Sequence, residues 1–358
     1  MGPVAAVFAT LGGLALLVGG GELLVRGAVA IAAAARMSPL VIGLTVVAFG
    51  TSAPELAVSL QAAMAGQADL SIGNVVGSNI FNVLFILGVS ALITPLVISI
   101  QLIRFDVPLM IAASLGLLGL GIDGSLGRLE ASLLFAGLLG YVFWTLRQAR
   151  KEGGSLDGVS AGDATGQRPA VWRAVFGGLL VVGLGLVLLV LGSHWLVLGA
   201  VALARLAGVS ELIIGLTIVA AGTSLPEVAT SILAAVKGQR DIAVGNIVGS
   251  NIFNILAILG LSGMLAPEPI GVSPAALRFD IPIMIAVALA CLPIFFTGRQ
   301  IARWEGALFL GYYVAYVALL ILQALGNEAA HTLGLVMIVF VVPLTCITLA
   351  VTVVRDRK

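Results

Sequence analysis

Charge is the first thing this sequence has little of. Only 10% of its 358 residues are Asp, Glu, Lys or Arg, against about 25% in ordinary soluble domains. A chain so poorly charged and 60% hydrophobic reads as a polytopic membrane protein embedded in a lipid bilayer. The formal net charge is +1, which gives no bulk attraction for nucleic acid. Histidine and cysteine number two each. Cys291 and Cys346 lie in apolar runs without metal-ligand spacing and read as lipid- or core-facing residues. There is no nucleophile–base set and no nucleotide-binding loop, so the sequence points to no enzyme, no cofactor and no nucleotide partner. The N-terminus lacks a basic region and a clear cleavage site, and is expected to be the first membrane helix.

What is abundant is glycine, 45 residues, and repetition. Gly43–Asn82 and Gly215–Asn254 align at a constant offset of 172 without a gap, with 26 of 40 positions identical. The similarity extends outward, from Leu23 against Trp195, and to RFDVPLMIA from Arg104 against RFDIPIMIA from Arg278. Taking about 20 apolar residues per crossing, the first copy holds five spans, roughly 4–33, 39–65, 70–97, 105–122 and 128–147. The second holds five more, roughly 173–205, 211–236, 242–266, 279–297 and 303–323, and an eleventh follows at roughly 331–354. The expected fold is therefore all-α. Residues 1–147 form one five-helix repeat, 148–172 a flexible cytoplasmic linker without regular structure, 173–325 the second repeat, and 326–358 an extra helix with a basic tail.

Five is odd, so the second copy starts from the opposite side of the membrane and the repeats are inverted. With the N-terminus outside, fourteen Lys and Arg residues fall on the inner side and three, Arg128, Arg205 and Arg278, on the outer. That asymmetry places the linker and the C-terminus in the cytoplasm. Inverted repeats with interrupted helices are a transporter signature, with the substrate site near the midplane.

Each copy places one carboxylate in such an interruption: GTSAPE ends in Glu55 and GTSLPE in Glu227. Pro54 and Pro226 have no N–H, so the carbonyls of Gly50 and Gly222 lose their helical partners. A charged group at mid-bilayer costs about 2.5–3.5 kcal/mol even on the gentler insertion scale and is characteristically functional. Thr51, Glu55 and Ser59 recur every four residues, as do Thr223, Glu227 and Ser231, so their oxygens are expected along one helix face. The following helix repeats the pattern with Asn74, Ser78 and Asn82, and with Asn246, Ser250 and Asn254. Gly73, Gly77, Gly245 and Gly249 leave room there for a close backbone. Two carboxylates among hydroxyls, amides and carbonyls, without His, Cys or Met, suit a hard cation: calcium first, magnesium or sodium next.

These paired segments resemble the alpha repeats of the sodium/calcium exchanger family, in its prokaryotic form, within the calcium/cation antiporter superfamily. The resemblance covers all ten repeat helices. It implies antiport of Ca2+ against Na+ by alternating access, with Glu55 and Glu227 holding calcium beside the backbone carbonyls of Thr51 and Thr223. Sodium shares those carboxylates and uses Ser52, Ser78, Ser224, Ser250 and the backbone oxygens of Ala48 and Ala220. Asn82 falls where the family often has Asn or Asp. Asn254 replaces an Asp found in many members, which removes one titratable group and argues against potassium co-transport. The first and sixth spans are the moving elements by the same resemblance, and the run Gly19–Gly20–Gly21 suits sliding. The linker is too short for the regulatory domain of animal relatives. A proton/calcium antiporter of the same fold is the nearest alternative, a cation channel the next. No partner beyond the ions and the lipid bilayer is called for, an oligomer is not required, and the expected location is a prokaryotic plasma (inner) membrane.

Among the remaining polar residues, Glu22 and Arg26 are expected to pair one turn apart. His194, at the repeat position of Glu22, reads as a satisfied histidine at a helix end. Asp69 and Asp241 read as helix N-caps. Asp106 and Asp280 are expected to pair with Arg104 and Arg278 or to cap their helices.

Overall fold

The structure, a computed structural model, describes residues 1–155 and 168–356. Helix dominates, because apolar chain in lipid must satisfy its own backbone. In order, the helices are α1 Pro3–Ala35, α2 Pro39–Thr51, α3 Ala53–Met64, α4 Ala68–Ile93, α5 Leu102–Leu120 and α6 Arg128–Ser155. They continue as α7 Arg168–Leu206, α8 over 211–222, α9 Leu225–Val236, α10 Arg240–Leu265, α11 Ala276–Phe296, α12 Arg303–Ala324 and α13 over 329–356. Among the described residues nine helices are long and apolar enough to cross a membrane, or ten if α2 and α3, bent by 46°, count as one span. The pair α8 and α9 is the repeat counterpart of that bent span.

Helix takes up much of the stretch read as an irregular linker: α6 continues to Ser155 and α7 begins at Arg168. Arg147–Glu152 contains only strong helix formers, so nothing stops the helix before Gly153 and Gly154. Pro169 sits in the first turn of α7, where its missing N–H costs nothing. Residues 156–167 and the last two of the basic tail lie outside the described residues.

Two pairs of short strands make the inversion visible. β1 (Leu96–Val97) follows the third span of the first repeat and pairs antiparallel with β4 (Gln300–Ile301), which follows the fourth span of the second. β2 (Ser125–Leu126) follows the fourth span of the first repeat and pairs with β3 (Ile270–Gly271), after the third span of the second. Loops three and four exchange partners between the copies, and that happens only when one copy is upside down relative to the other.

The first helices of the two repeats run antiparallel along a glycine seam. Gly13, Gly20 and Gly27 on α1 meet Gly192, Gly185 and Gly178 on α7, each series spaced by seven. A Cβ added to Gly20 would lie 2.8 Å from the Gly185 carbonyl oxygen, and one on Gly192 2.8 Å from that of Gly13. The backbones approach so closely that no other residue fits, as in small-residue helix interfaces. Within the run Gly19–Gly20–Gly21, Gly20 enters this seam, Gly21 faces Leu233, and Gly19 has nothing within 4 Å of an added Cβ.

At the centre α4 and α10 touch, and α10 is buried continuously from Ile242 to Gly260. Helix α13 is peripheral, held to α12 where the Tyr312 hydroxyl donates to Thr345 Oγ1 at 2.7 Å.

Candidate ion-binding site

Each broken span parts at a serine. Ser52 (φ −81°, ψ 8°) separates α2 from α3, and Ser224 (φ −87°, ψ 8°) precedes α9. Pro54 and Pro226 then occupy the first turn of the new helix, where no N–H is required. Glu55 and Glu227 sit in those same first turns, at the positive end of the helix dipole. The Gly222 carbonyl, released by Pro226, accepts the Ser193 hydroxyl of α7 at 2.5 Å. Residue 21 is the repeat counterpart of Ser193, and it is a glycine.

The two carboxylates are held crosswise. The Ser224 hydroxyl donates to Glu55 Oε1 (2.7 Å) and the Ser52 hydroxyl to Glu227 Oε1 (3.0 Å), so each half's serine serves the other half's glutamate. Ser78 Oγ lies 3.2 Å from Ser224 Oγ, and Ser250 Oγ 3.5 Å from Glu227 Oε1. One turn beyond Ser78 and Ser250 come Asn82 and Asn254, where the helical ladders of α4 and α10 widen into a π turn. Such turns recur at functional sites. The Asn82 amide donates to Asn251 Oδ1 and the Asn254 amide to Asn79 Oδ1, both at 3.0 Å.

Among the glutamates, asparagines and serines of this cluster, four oxygens remain buried without a partner: Glu55 Oε2, Glu227 Oε2, Asn82 Oδ1 and Asn254 Oδ1. They are the matching atoms of matching residues in both repeats, and the four residues are at most 1% exposed. An unpartnered buried acceptor costs roughly 1–3 kcal/mol. Among the described residues no three His, Cys, Asp or Glu side chains gather, so two carboxylates with neutral amide and hydroxyl oxygens are what this centre offers. That donor set fits a hard cation and disfavours zinc or copper.

Helix breakage alters part of the expected face. Thr51 lies before the break, so its hydroxyl turns to Asn246 Oδ1 (3.0 Å) rather than continuing the row of Glu55 and Ser59. Thr223 lies likewise 3.4 Å from Asn74 Oδ1. Ser59 and Ser231 accept from Asn74 and Asn246, both at 2.9 Å, which braces each half-helix against its neighbour. The Ala48 carbonyl is engaged by the Ser52 N–H at 3.1 Å. Ala48 is buried whereas Ala220 is exposed.

That last difference belongs to a larger asymmetry. Segment 39–51 lies against α10: a Cβ on Gly245 would sit 3.0 Å from the Leu40 oxygen, and one on Gly249 2.7 Å from Ala48 Cβ. Their counterparts Gly73 and Gly77 on α4 have nothing within 4 Å. The face of α10 beside the centre is therefore covered by α2, whereas the matching face of α4 is not covered by α8, although the four oxygens themselves are buried. A surface cleft of about 580 Å³, bounded by Gly66–Leu70, Gly124 and Gly271–Ser273, includes none of the buried oxygens.

Several polar residues stand elsewhere than expected. Asp106 is buried and accepts the Tyr141 hydroxyl at 3.2 Å, not Arg104, and Asp280 is bonded by Tyr316. Arginine at a span's end turns toward the polar boundary, which leaves the tyrosines of α6 and α12 as neighbours. Asp69 and Asp241 lie inside the first turns of α4 and α10, whose N-caps are Gln67 and Gln239. Glu22 pairs with Arg26 at 2.6 Å and, unforeseen, also with Lys237 at the end of α9.

Inverted five-helix repeats, each broken at a buried carboxylate, define a secondary transporter. The sequence profile described as "Sodium/calcium exchanger protein" matches residues 5–147 and 177–322. The putative antiporter CaxA of Alkalimonas amylolytica is 41% identical over 88% of this chain and 98% of its own length. The sodium/calcium exchanger MaX1 of Methanosarcina acetivorans is 35% identical over 86% and 96%. The inner membrane protein YrbG of Escherichia coli K12 is 37% identical over 86% and 94%. A solved structure of the sodium–calcium exchanger NCX_Mj superposes with a TM-score of 0.75 at 29% identity, covering 88% of this chain and 99% of that one. The chain belongs to the sodium/calcium exchanger protein family.

Proposed function

We propose that the protein is an antiporter exchanging Ca2+ for Na+, with Glu55 and Glu227 shared in competition by the two ions. The observation that carries this reading is the set of four unpartnered buried oxygens. Two carboxylates neutralise one divalent ion, and the Asn82 and Asn254 oxygens add neutral ligands at the flexible geometry calcium tolerates. The backbone carbonyls of Thr51 and Thr223 would help hold calcium, and Ser52, Ser78, Ser224 and Ser250 with the backbone oxygens of Ala48 and Ala220 would serve sodium when calcium leaves. Occupation by one ion excludes the other, and a change of access that waits for charge compensation turns this competition into exchange. The Lys and Arg distribution supports an N-terminus outside and a cytoplasmic C-terminus, which makes the less covered side, at α8, the outer one. The family, and the relative named as an inner membrane protein, support a plasma membrane location. The site uses residues of one chain only, so no oligomer is needed to build it.

The competing reading is a proton in place of sodium, because each glutamate keeps one unpartnered oxygen that a proton would fit. Calcium-45 uptake into proteoliposomes separates the two. Uptake is expected under an imposed sodium gradient and not under a proton gradient alone. Uptake driven only by protons would reverse the assignment, and flux with neither counter-ion would make the protein a channel.

A further inference from the structure

An asparagine is an ambiguous ligand: its oxygen attracts a cation and its amide nitrogen repels one. The structure sets this choice from outside the site. The Asn82 nitrogen donates to Asn251 Oδ1 at 3.0 Å, and the Asn251 nitrogen in turn points at the Met110 thioether, 3.4 Å away. The symmetric chain runs from Asn254 to Asn79 Oδ1 at 3.0 Å and from the Asn79 nitrogen to the Met284 sulfur at 3.5 Å. Each chain crosses between the repeats twice, and all six residues are at most 2% exposed.

Consider the reverse polarity. Turning one amide alone sets nitrogen against nitrogen or oxygen against oxygen. Turning both amides of a chain keeps the bond between them intact, so that bond cannot choose. What differs is the far end: a thioether sulfur accepts and never donates, so the reversed chain leaves an oxygen facing a sulfur and a nitrogen facing the ion. We propose that Met110 is a positioning residue that fixes the polarity of the Asn251–Asn82 pair, with Met284 sharing that task for the Asn79–Asn254 pair with a backbone carbonyl, so that oxygen rather than nitrogen lines the ion site. This rests on the calcium-binding reading above. The chains are not equal: the Asn79 nitrogen also donates to the Asn251 carbonyl at 3.2 Å, a second acceptor that holds its polarity when the sulfur is removed.

Calcium titration calorimetry on the purified full chain, in sodium-free detergent solution, tests it. Met110→Leu keeps the volume and loses the acceptor. It is expected to raise the calcium Kd about fivefold, the scale of one weak hydrogen bond, while Met284→Leu changes it less than twofold. The decisive background is Asn82→Asp. A carboxylate has no donor end to misdirect, so Met110→Leu is expected to leave calcium affinity unchanged there, whatever Asn82→Asp itself does. An unaltered Kd in Met110→Leu overturns the proposal. So does an equal loss in both backgrounds, because a packing defect persists in Asn82→Asp and a polarity defect does not. Absence of calcium binding by the unsubstituted protein removes the functional reading and this inference with it, whereas normal binding with a silent Met110→Leu removes the inference alone.

Discussion

Glu55→Gln and Glu227→Gln will each abolish sodium-driven calcium uptake, by at least two orders of magnitude, without lowering the melting temperature of the ion-free protein. The two halves of this expectation have one cause. Each glutamate keeps one buried oxygen without a partner and the other on a serine of the opposite repeat. A glutamine accepts from that same serine, so the crosswise bonds survive. What is lost is the charge, which at mid-bilayer costs about 2.5–3.5 kcal/mol to keep. A carboxylate pair retained for stability would behave oppositely, since breaking a structural ion network destabilises the fold. Calcium-45 flux in proteoliposomes, read beside thermal melts in detergent, separates the cases. Near-normal flux in both variants would mean that calcium binds elsewhere.

Gly77→Leu is expected to cut exchange by roughly 5- to 150-fold while leaving calcium binding in the present arrangement intact. On the side that α2 covers, Gly249 receives Ala48 so closely that an added Cβ would lie 2.7 Å from it, and Gly245 receives Leu40. Gly77 is the repeat counterpart of Gly249 and stands in open space. If the proposed exchange reverses access by exchanging the roles of the two repeats, α8 comes down on α4 as α2 now lies on α10, and Gly77 is the seat. A Cβ there meets nothing in the present arrangement. A leucine overpacks the opposite one, at about 1–3 kcal/mol, which gives the stated factor. Gly249→Leu clashes at once and serves as the contrast. Unimpaired counterflow in Gly77→Leu would show that α4 is not the surface on which α8 closes.

Much of this architecture is written in the primary structure because duplication writes it twice. The inversion follows from an odd span count, and the strand pairs β1–β4 and β2–β3 realise it. The break at each glutamate follows from Pro54 and Pro226. The order of the groups around it was less legible. Spacing by fours treats the span as one straight helix, and the kink at Ser52 sends Thr51 to Asn246 instead. The crosswise serine–glutamate bonds are contacts between repeats, and periodicity within one copy holds no trace of them. Asn79, Asn251, Met110 and Met284 did leave a signal: GSNIFN and RFD-x-P-x-M keep all four at matched positions of both copies. The glycine seam was equally available as a spacing of seven in α1 and α7, but adjacent glycines draw the eye to Gly19–Gly21, only one of which enters the seam.

The crosswise bonds also impose a schedule on biosynthesis. Every one of them spans between 141 and 205 residues of sequence. A ribosome adding about 5–20 residues per second places Glu55 in the membrane roughly 10–35 s before Ser224 exists to receive it. Through that interval the first repeat carries a carboxylate and an amide with no counterpart, beside a seam of glycines with nothing to lie against. The nascent half is thus a poor tenant of lipid until the second copy arrives, and its insertion machinery must shelter it for as long as the remaining half takes to be made.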